Sequence, residues 1–248
     1  MKDIKMNFAV VVPMANEEND FEPFIHSLSE VLDSLQSGRV YFVIDKVSKD
    51  DTLKLCHELS EKDSRFVTIW AEENRNVVDA YIRGYKEALK RNHDYIIEMD
   101  AGLSHNPRSL PLFLQALDDG AECVFGSRFV SGGSLEYSSL ERRLLSKSGT
   151  ILSNLLLGTR MRDMTSGFQG FRADVVEKFI TYELLSKAHF YQTELRYLLR
   201  KTRFVEVPIS YRAPSKSVNR KVIHNALFVL FHYFQLRLRL RSPEIRIT

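Results

Sequence analysis

The segment YIIEMDAGLSHNP, Tyr95–Pro107, begins as a short apolar run and ends in a polar cluster around Asp100, Gly102 and His105. An apolar run of this length that stops at turn-forming residues reads as a strand. The same pattern recurs at Phe8–Val12, Val40–Ile44, Phe66–Trp70 and Glu122–Phe125. Between these runs, Asp20–Gln36, Asp50–Asp63, Val77–Arg91 and Pro107–Leu117 carry the helical period. The first two have Asp at a suitable N-cap, and the last has Pro in its first turn. Alternating strands and helices predict an α/β fold with a Rossmann-like, mostly parallel nucleotide-binding sheet and helices on both faces. Ligands of such sheets lie beyond the carboxyl ends of the strands. That rule draws Pro13–Glu17, Asp45–Ser48 and Asp100–His105 to one edge.

The remaining composition narrows the class. With 44% hydrophobic and 27% charged residues in 248, the chain has an ordinary soluble make-up. Cys56 and Cys123 stand alone, without the spacing of a disulfide framework or a zinc site, and indicate a reducing compartment. Phe8–Val12 runs straight into Pro13 and NEEND and is a first strand, not a signal segment. The net charge of +3 hides an asymmetry: Arg196–Thr248 holds twelve Lys and Arg against two Asp and Glu, the rest 23 against 30. A basic arm of this kind attracts nucleic acid, an anionic membrane or a phosphorylated substrate. Its aromatics cluster in an apolar stripe and do not interleave with the cations, which argues against nucleic acid.

The second half carries its information in loops. GSRFVSGG (Gly126–Gly133) surrounds Arg128 with small residues, DMTSGFQGFR (Asp163–Arg172) sets turn residues against aromatics, and Ser139–Leu157 reads as a helix. Glycines admit phosphate oxygens to backbone amides, and Arg matches them with a planar fork; surface turns are the plainer reading of both loops. Glu98 is expected to be solvated or salt-bridged, and Asp163 is as well suited to capping a turn. A final helix over Val218–Arg241 has an apolar centre about half the roughly 20 residues a bilayer span needs. It suits the membrane interface or packing on the domain or a second copy of the chain. The expected organisation is a domain over residues 1–217 followed by a basic amphipathic helix over 218–248.

Seven motifs in order resemble one family: VVVPMANEE, VIDKVSKDDT, MDAGLSHNP, GSRFVSGG, RRLLSKSG, DMTSGFQGFR and VPISYR followed by SK, together spanning about Phe8 to Lys216. The chain resembles the GT-A fold, family-2 nucleotide-sugar glycosyltransferases, and among them the polyprenyl-phosphate sugar transferases similar to dolichol-phosphate mannosyltransferase. The resemblance implies an inverting transferase that moves a sugar from a GDP- or UDP-sugar to a polyprenyl or dolichyl phosphate at the inner membrane face. It implies Pro13, Asn16, Glu17, Asp45 and Asp100 at the nucleotide, with Asp100 also at a Mg²⁺ or Mn²⁺ ion. Arg128, Arg142 and Ser146 would hold the acceptor's phosphate, Arg142 and Ser146 lying four apart on one helical face. Arg212 and Lys216 would close over the diphosphate, and Asp100 and Arg128 would act in catalysis.

Some positions depart from the family's pattern. Gly102 stands where the second metal-binding aspartate is expected. Three arrangements answer it: Asp100 and the diphosphate hold the metal with His105 or Ser104 nearby; the basic loop replaces much of the metal; or the protein binds without catalysis. Lys46 and Val47 replace the usual Asp-Gly, and Asn76 and Val78 replace glycines, so the base stays open. A sugar-hydroxyl acceptor in polysaccharide synthesis is the alternative reaction, but the general base it needs has no motif in Asp163–Arg172.

Overall fold

A computed structural model of the chain describes residues 6–136, 140–212 and 220–247. Its centre is a seven-stranded sheet in the order β3-β2-β1-β4-β7-β5-β8. The strands are β1 (Phe8–Met14), β2 (Arg39–Ile44), β3 (Phe66–Trp70), β4 (Tyr95–Glu98), β5 (Cys123–Ser127), β7 (Gln169–Arg172) and β8 (Phe204–Pro208). Only β7 runs antiparallel, wedged between β4 and β5; the other neighbours are parallel. A second, two-stranded sheet pairs β6 (Ser134–Glu136) with β9 (Ser210–Arg212).

The helices are α1 (Phe21–Leu35), α2 (Thr52–Lys62), α3 (Val77–Lys90), α4 (Leu110–Asp118), α5 (Leu140–Leu157), α6 (Ala173–Phe179), α7 (Tyr191–Leu198) and α8 (Arg220–Leu238). Strand alternation divides the core. Ala9, Val11, Tyr41, Val43, Ile96, Phe125 and Phe171 face α3, α6, α7 and α8, whereas Val10, Val12, Val40, Phe42, Ile97 and Val124 face α1, α2 and α4. Burial on both faces is why β1, β2 and β5 read as unbroken apolar runs. Cys123 belongs to one face and Cys56 to the other. The final helix is anchored, not detached: Val229, Leu230 and Tyr233 enter the core.

The local reading needs three amendments. Asp20 precedes α1 without a side-chain cap bond, whereas Asp50 serves α2 as expected, its Oδ1 accepting Thr52 N at 3.1 Å. Asn76, read as a replaced glycine, caps α3 by accepting Val78 N and Asp79 N. The latter half of DMTSGFQGFR is not a turn: Gln169–Arg172 is β7, in the middle of the sheet.

Because β2 and β3 lie on one side of β1 and β4 on the other, the chain reverses direction between β1 and β4. In open sheets of this kind such a reversal is where a ligand crevice opens, at the carboxyl edge between the loops that leave β1 and β4.

Candidate functional site

The loop after β1 is latched to the loop after β2. Asn16, in the left-handed region at φ 60°, accepts Lys49 N at 2.9 Å through Oδ1 and donates to the Val47 carbonyl at 3.3 Å. Glu17 N donates to Thr52 Oγ1 at 2.8 Å, while Asp50 accepts Glu18 N, Ser48 Oγ and Thr52 Oγ1. Asp45 closes a local turn by accepting Val47 N at 2.9 Å. Pro13, near the end of β1, is partly exposed beside them. The side-chain amide of Asn16 thus shapes the loops.

Across the crevice, Asp100 follows β4. Its Oδ1 accepts the Tyr81 hydroxyl at 2.7 Å, and its backbone N–H donates to His105 Nδ1 at 3.0 Å. Nδ1 is therefore an acceptor, and burial pushes the imidazole down to about 4. The 3.8 Å approach of His105 to Asp100 is accordingly not an ion pair at neutral pH. Burial pushes the Asp100 carboxyl up, but His105, His189 and the Tyr81 hydroxyl hold it below the ordinary value. It is ionised at neutral pH.

Gly102 adopts φ 68°, and a Cβ placed on it would lie 2.6 Å from Glu17 Oε2. A carboxylate thus occupies the space beside Gly102, but it comes from the β1 loop. Glu17 is partly exposed, and burial, then the charges of Asp20, Asp100 and Asp50, push its carboxyl up to about 7.

Beneath this edge lies a buried polar chain. Glu98 is fully buried, correcting the expectation of a solvated or salt-bridged residue. It accepts the Tyr85 and Tyr191 hydroxyls and Gln169 Nε2, the last two at 2.7 and 2.6 Å. Gln169 in turn accepts Arg196 Nε at 3.1 Å. Arg196, also fully buried, donates to the carbonyls of Asp163, Gly126 and Ser166. Sequence reasoning missed it, because one Arg on an otherwise amphipathic helix reads as a surface charge.

The chain ends at Arg128 and Asp163. Arg128 Nε and Nη2 each reach Asp163 at 2.7 Å, Nη2 also reaches Thr165 Oγ1 at 2.6 Å, and both partners are almost wholly buried. Asp163 is the arginine's counterion, a larger task than capping a turn, although Thr165 N also donates to it. Thr150 of α5 accepts Met164 N, and Gly149 packs on Thr165, so α5 lies against this loop. Ser146, partly exposed, is one helical turn before Thr150. Arg212 is brought beside the Asp100 loop: its N–H donates to the Ser104 carbonyl at 3.0 Å, Tyr211 bridges His105, and its guanidinium lies 3.5 Å from Glu136. Lys216 and the Arg142 side chain lie outside the described residues.

A hard divalent cation fits the crevice. Such an ion needs one or two carboxylates when substrate phosphates complete its shell, and Asp100 and Glu17 offer oxygen donors there. Among the described residues no cluster of three or more His, Cys, Asp or Glu side chains forms an all-protein cage.

Sheet order and helix placement together define a fold of the GT-A type. Residues 9–180 match the sequence model of Glycosyl transferase family 2, and the chain belongs to that family: it is a glycosyltransferase. It is 29% identical over 240 residues to polyprenol monophosphomannose synthase of Mycolicibacterium smegmatis, covering 96% of this chain and 89% of that protein. It is also 29% identical over 208 residues to undecaprenyl-phosphate mannosyltransferase of Micrococcus luteus, covering 83% and 84%. Glucosyl-3-phosphoglycerate synthase from Mycobacterium tuberculosis, solved with Mn²⁺, UDP and phosphoglyceric acid, shares the fold at TM-score 0.62 and 17% identity, over 97% of this chain and 80% of the other.

Proposed function

We propose that this glycosyltransferase moves a sugar from a nucleotide diphosphate to the phosphate of a polyprenyl lipid, at the inner face of a membrane. The observation that carries the reading is the adjacency of the Arg128–Asp163 corner to α5, whose outer face is apolar and exposed at Leu144, Leu145, Ile151 and Leu155. An anionic headgroup and its lipid surface would then meet the protein on one side. The names of the two 29% identical relatives support the same acceptor.

The chemistry follows from the residues. A lipid monophosphate has its second pKa near about 6 and is largely ionised at neutral pH, so its oxygen attacks without a protein base. The new bond forms at the anomeric carbon as the bond to the nucleotide diphosphate breaks, and a single displacement inverts that centre. Pro13, Asn16 and Asp45 shape the nucleotide's seat, Asp100 faces the diphosphate, and Arg212 and Lys216 close over it. Arg128, held by Asp163, positions the acceptor phosphate with Arg142 and Ser146. Bringing two anions together in line is the main demand on this site, and fixed cations meet it. A Mg²⁺ or Mn²⁺ ion at Asp100 would neutralise charge on the leaving diphosphate.

The test presents the purified protein with GDP- and UDP-sugars and vesicles containing a polyprenyl monophosphate. Formation of a sugar-phosphate lipid with one donor class is expected. Transfer to a soluble sugar hydroxyl instead would replace the acceptor, and binding without any turnover would assign a non-catalytic role.

A further inference from the structure

We infer that Glu17, reaching across the crevice from the β1 loop, supplies the second carboxylate for a divalent cation at Asp100, in the space Gly102 leaves open. The inference rests on the donor-site reading above. Gly102 has no side chain, and Glu17 Oε2 lies 2.6 Å from where the first side-chain atom of any other residue at 102 would be. A side chain on 102 would therefore displace the Glu17 carboxylate from its present position, and glycine leaves that position open to it. The missing ligand has changed strands.

The surroundings fit a cation. Among the described residues no hydrogen bond is given to the Glu17 carboxylate, although the side chain is partly buried. Its backbone is firmly placed by Thr52, so the side chain emerges from an ordered turn. Asp100 has one carboxylate oxygen bonded by Tyr81 and keeps about a quarter of its side chain exposed. The site is at the β1/β4 reversal, where the topology opens the sheet to a ligand. Two carboxylates plus two phosphate oxygens are a donor set that Mg²⁺ and Mn²⁺ accept. An uncompensated pair of carboxylates in a crevice also repels a diphosphate, so here the metal is needed for the nucleotide to bind well.

The test reads Mn²⁺ itself, by electron paramagnetic resonance of free against bound ion, with GDP and UDP present and absent. Glu17→Gln keeps size and shape and disturbs no hydrogen bond among the described residues, so its fold should persist, as circular dichroism would verify. In the nucleotide-bound wild type Mn²⁺ is expected to bind, and Glu17→Gln should weaken it at least about tenfold while easing metal-free nucleotide binding. Glu17→Ala combined with Gly102→Asp should restore Mn²⁺ affinity, since removing one carboxylate makes room for the other. Unchanged Mn²⁺ affinity in Glu17→Gln together with its loss in Asp100→Asn would overturn the pair and leave Asp100 as the sole protein carboxylate. Absence of any nucleotide binding by the wild type would overturn the donor-site reading itself.

Discussion

Glu98 and Asp100 are two positions apart at the end of β4, and α3 meets both: Tyr85 donates to Glu98 and Tyr81 to Asp100. A strand step of two residues and a helix step of four place side chains in register. The two carboxyls are nevertheless driven opposite ways. Asp100 is held low, while burial pushes Glu98 up to about 7 from 4.5, against its three hydrogen bonds. Folded Glu98 therefore keeps a proton that the unfolded chain releases between these values, so stability falls as pH rises through that window. The loss amounts to about 3 kcal/mol for the full interval. Glu98→Gln should abolish this contribution, because a neutral amide can donate to the tyrosines and accept from Gln169. Urea unfolding at about pH 5 and about pH 8 should show a flatter difference in the variant than in wild type; equal differences would mean that Glu98 is already ionised. Asp163→Asn is the harsher change. It leaves Arg128 buried without its counterion and should cost roughly 3–5 kcal/mol, measurable as a lower denaturation midpoint.

At the scale of elements, the tightest joint is α3 on β1. A Cβ on Gly84 would lie 2.2 Å from Val11 Cγ1, so the glycine lets the helix approach the strand. Gly84→Ala should destabilise by about 1–3 kcal/mol through overpacking, and Val11→Ala should recover part of that in the double variant. A double-mutant cycle on the four proteins would expose this coupling; simple additivity would show that the helix shifts freely. Asn76→Ala should cost about 1 kcal/mol, the usual value of an N-cap. These joints also show what could be read from sequence. β1, β2 and β5 were legible because burial on both faces fills them with apolar residues, whereas β3, at the sheet edge and only partly buried, was legible from its β-branched and aromatic residues. β7 was not, since Gln169 and Gly170 look like turn residues; Gln169 is polar because it must serve Glu98 and Arg196, and Gly170 is small because Ile97 and Phe113 crowd it. The cap at Asn76 carried an ordinary signal, overlooked in favour of the glycine it replaces. The three loops at the sheet edge followed from topology. The pairings across it did not: Glu17 meets Gly102, and Arg128 meets Asp163, only after the chain has folded, and neither pair has a local pattern.

For the whole molecule, the decisive feature is a surface made by two helices. α5 and α8 pack together, with Arg237 Nη1 donating to the Leu155 and Leu156 carbonyls at 2.8 and 2.9 Å. Their outer sides expose Leu144, Leu145, Ile151 and Leu155 from one helix and Leu227, Phe228, Phe231 and Leu238 from the other. Monomeric soluble proteins seldom leave so much apolar surface together unless something covers it. Lys147, Arg239 and Arg241 are exposed on the same elements and the segment after them. No described helix is long and apolar enough to cross a membrane. An apolar face bordered by cations instead suits the interface of an anionic bilayer, held by burial of side chains and by about 1 kcal/mol per nearby cation. Phe228→Asp with Phe231→Asp should therefore abolish sedimentation with anionic vesicles while leaving the unfolding midpoint nearly unchanged, because both side chains are exposed in the free protein. Binding of the wild type should also weaken on neutral vesicles and at high salt, as the cations lose their partners. If the wild type ignores vesicles of either kind but self-associates in solution, and the double substitution makes it monomeric, the covering partner is a second copy of the chain and the acceptor must reach Arg128 by another route.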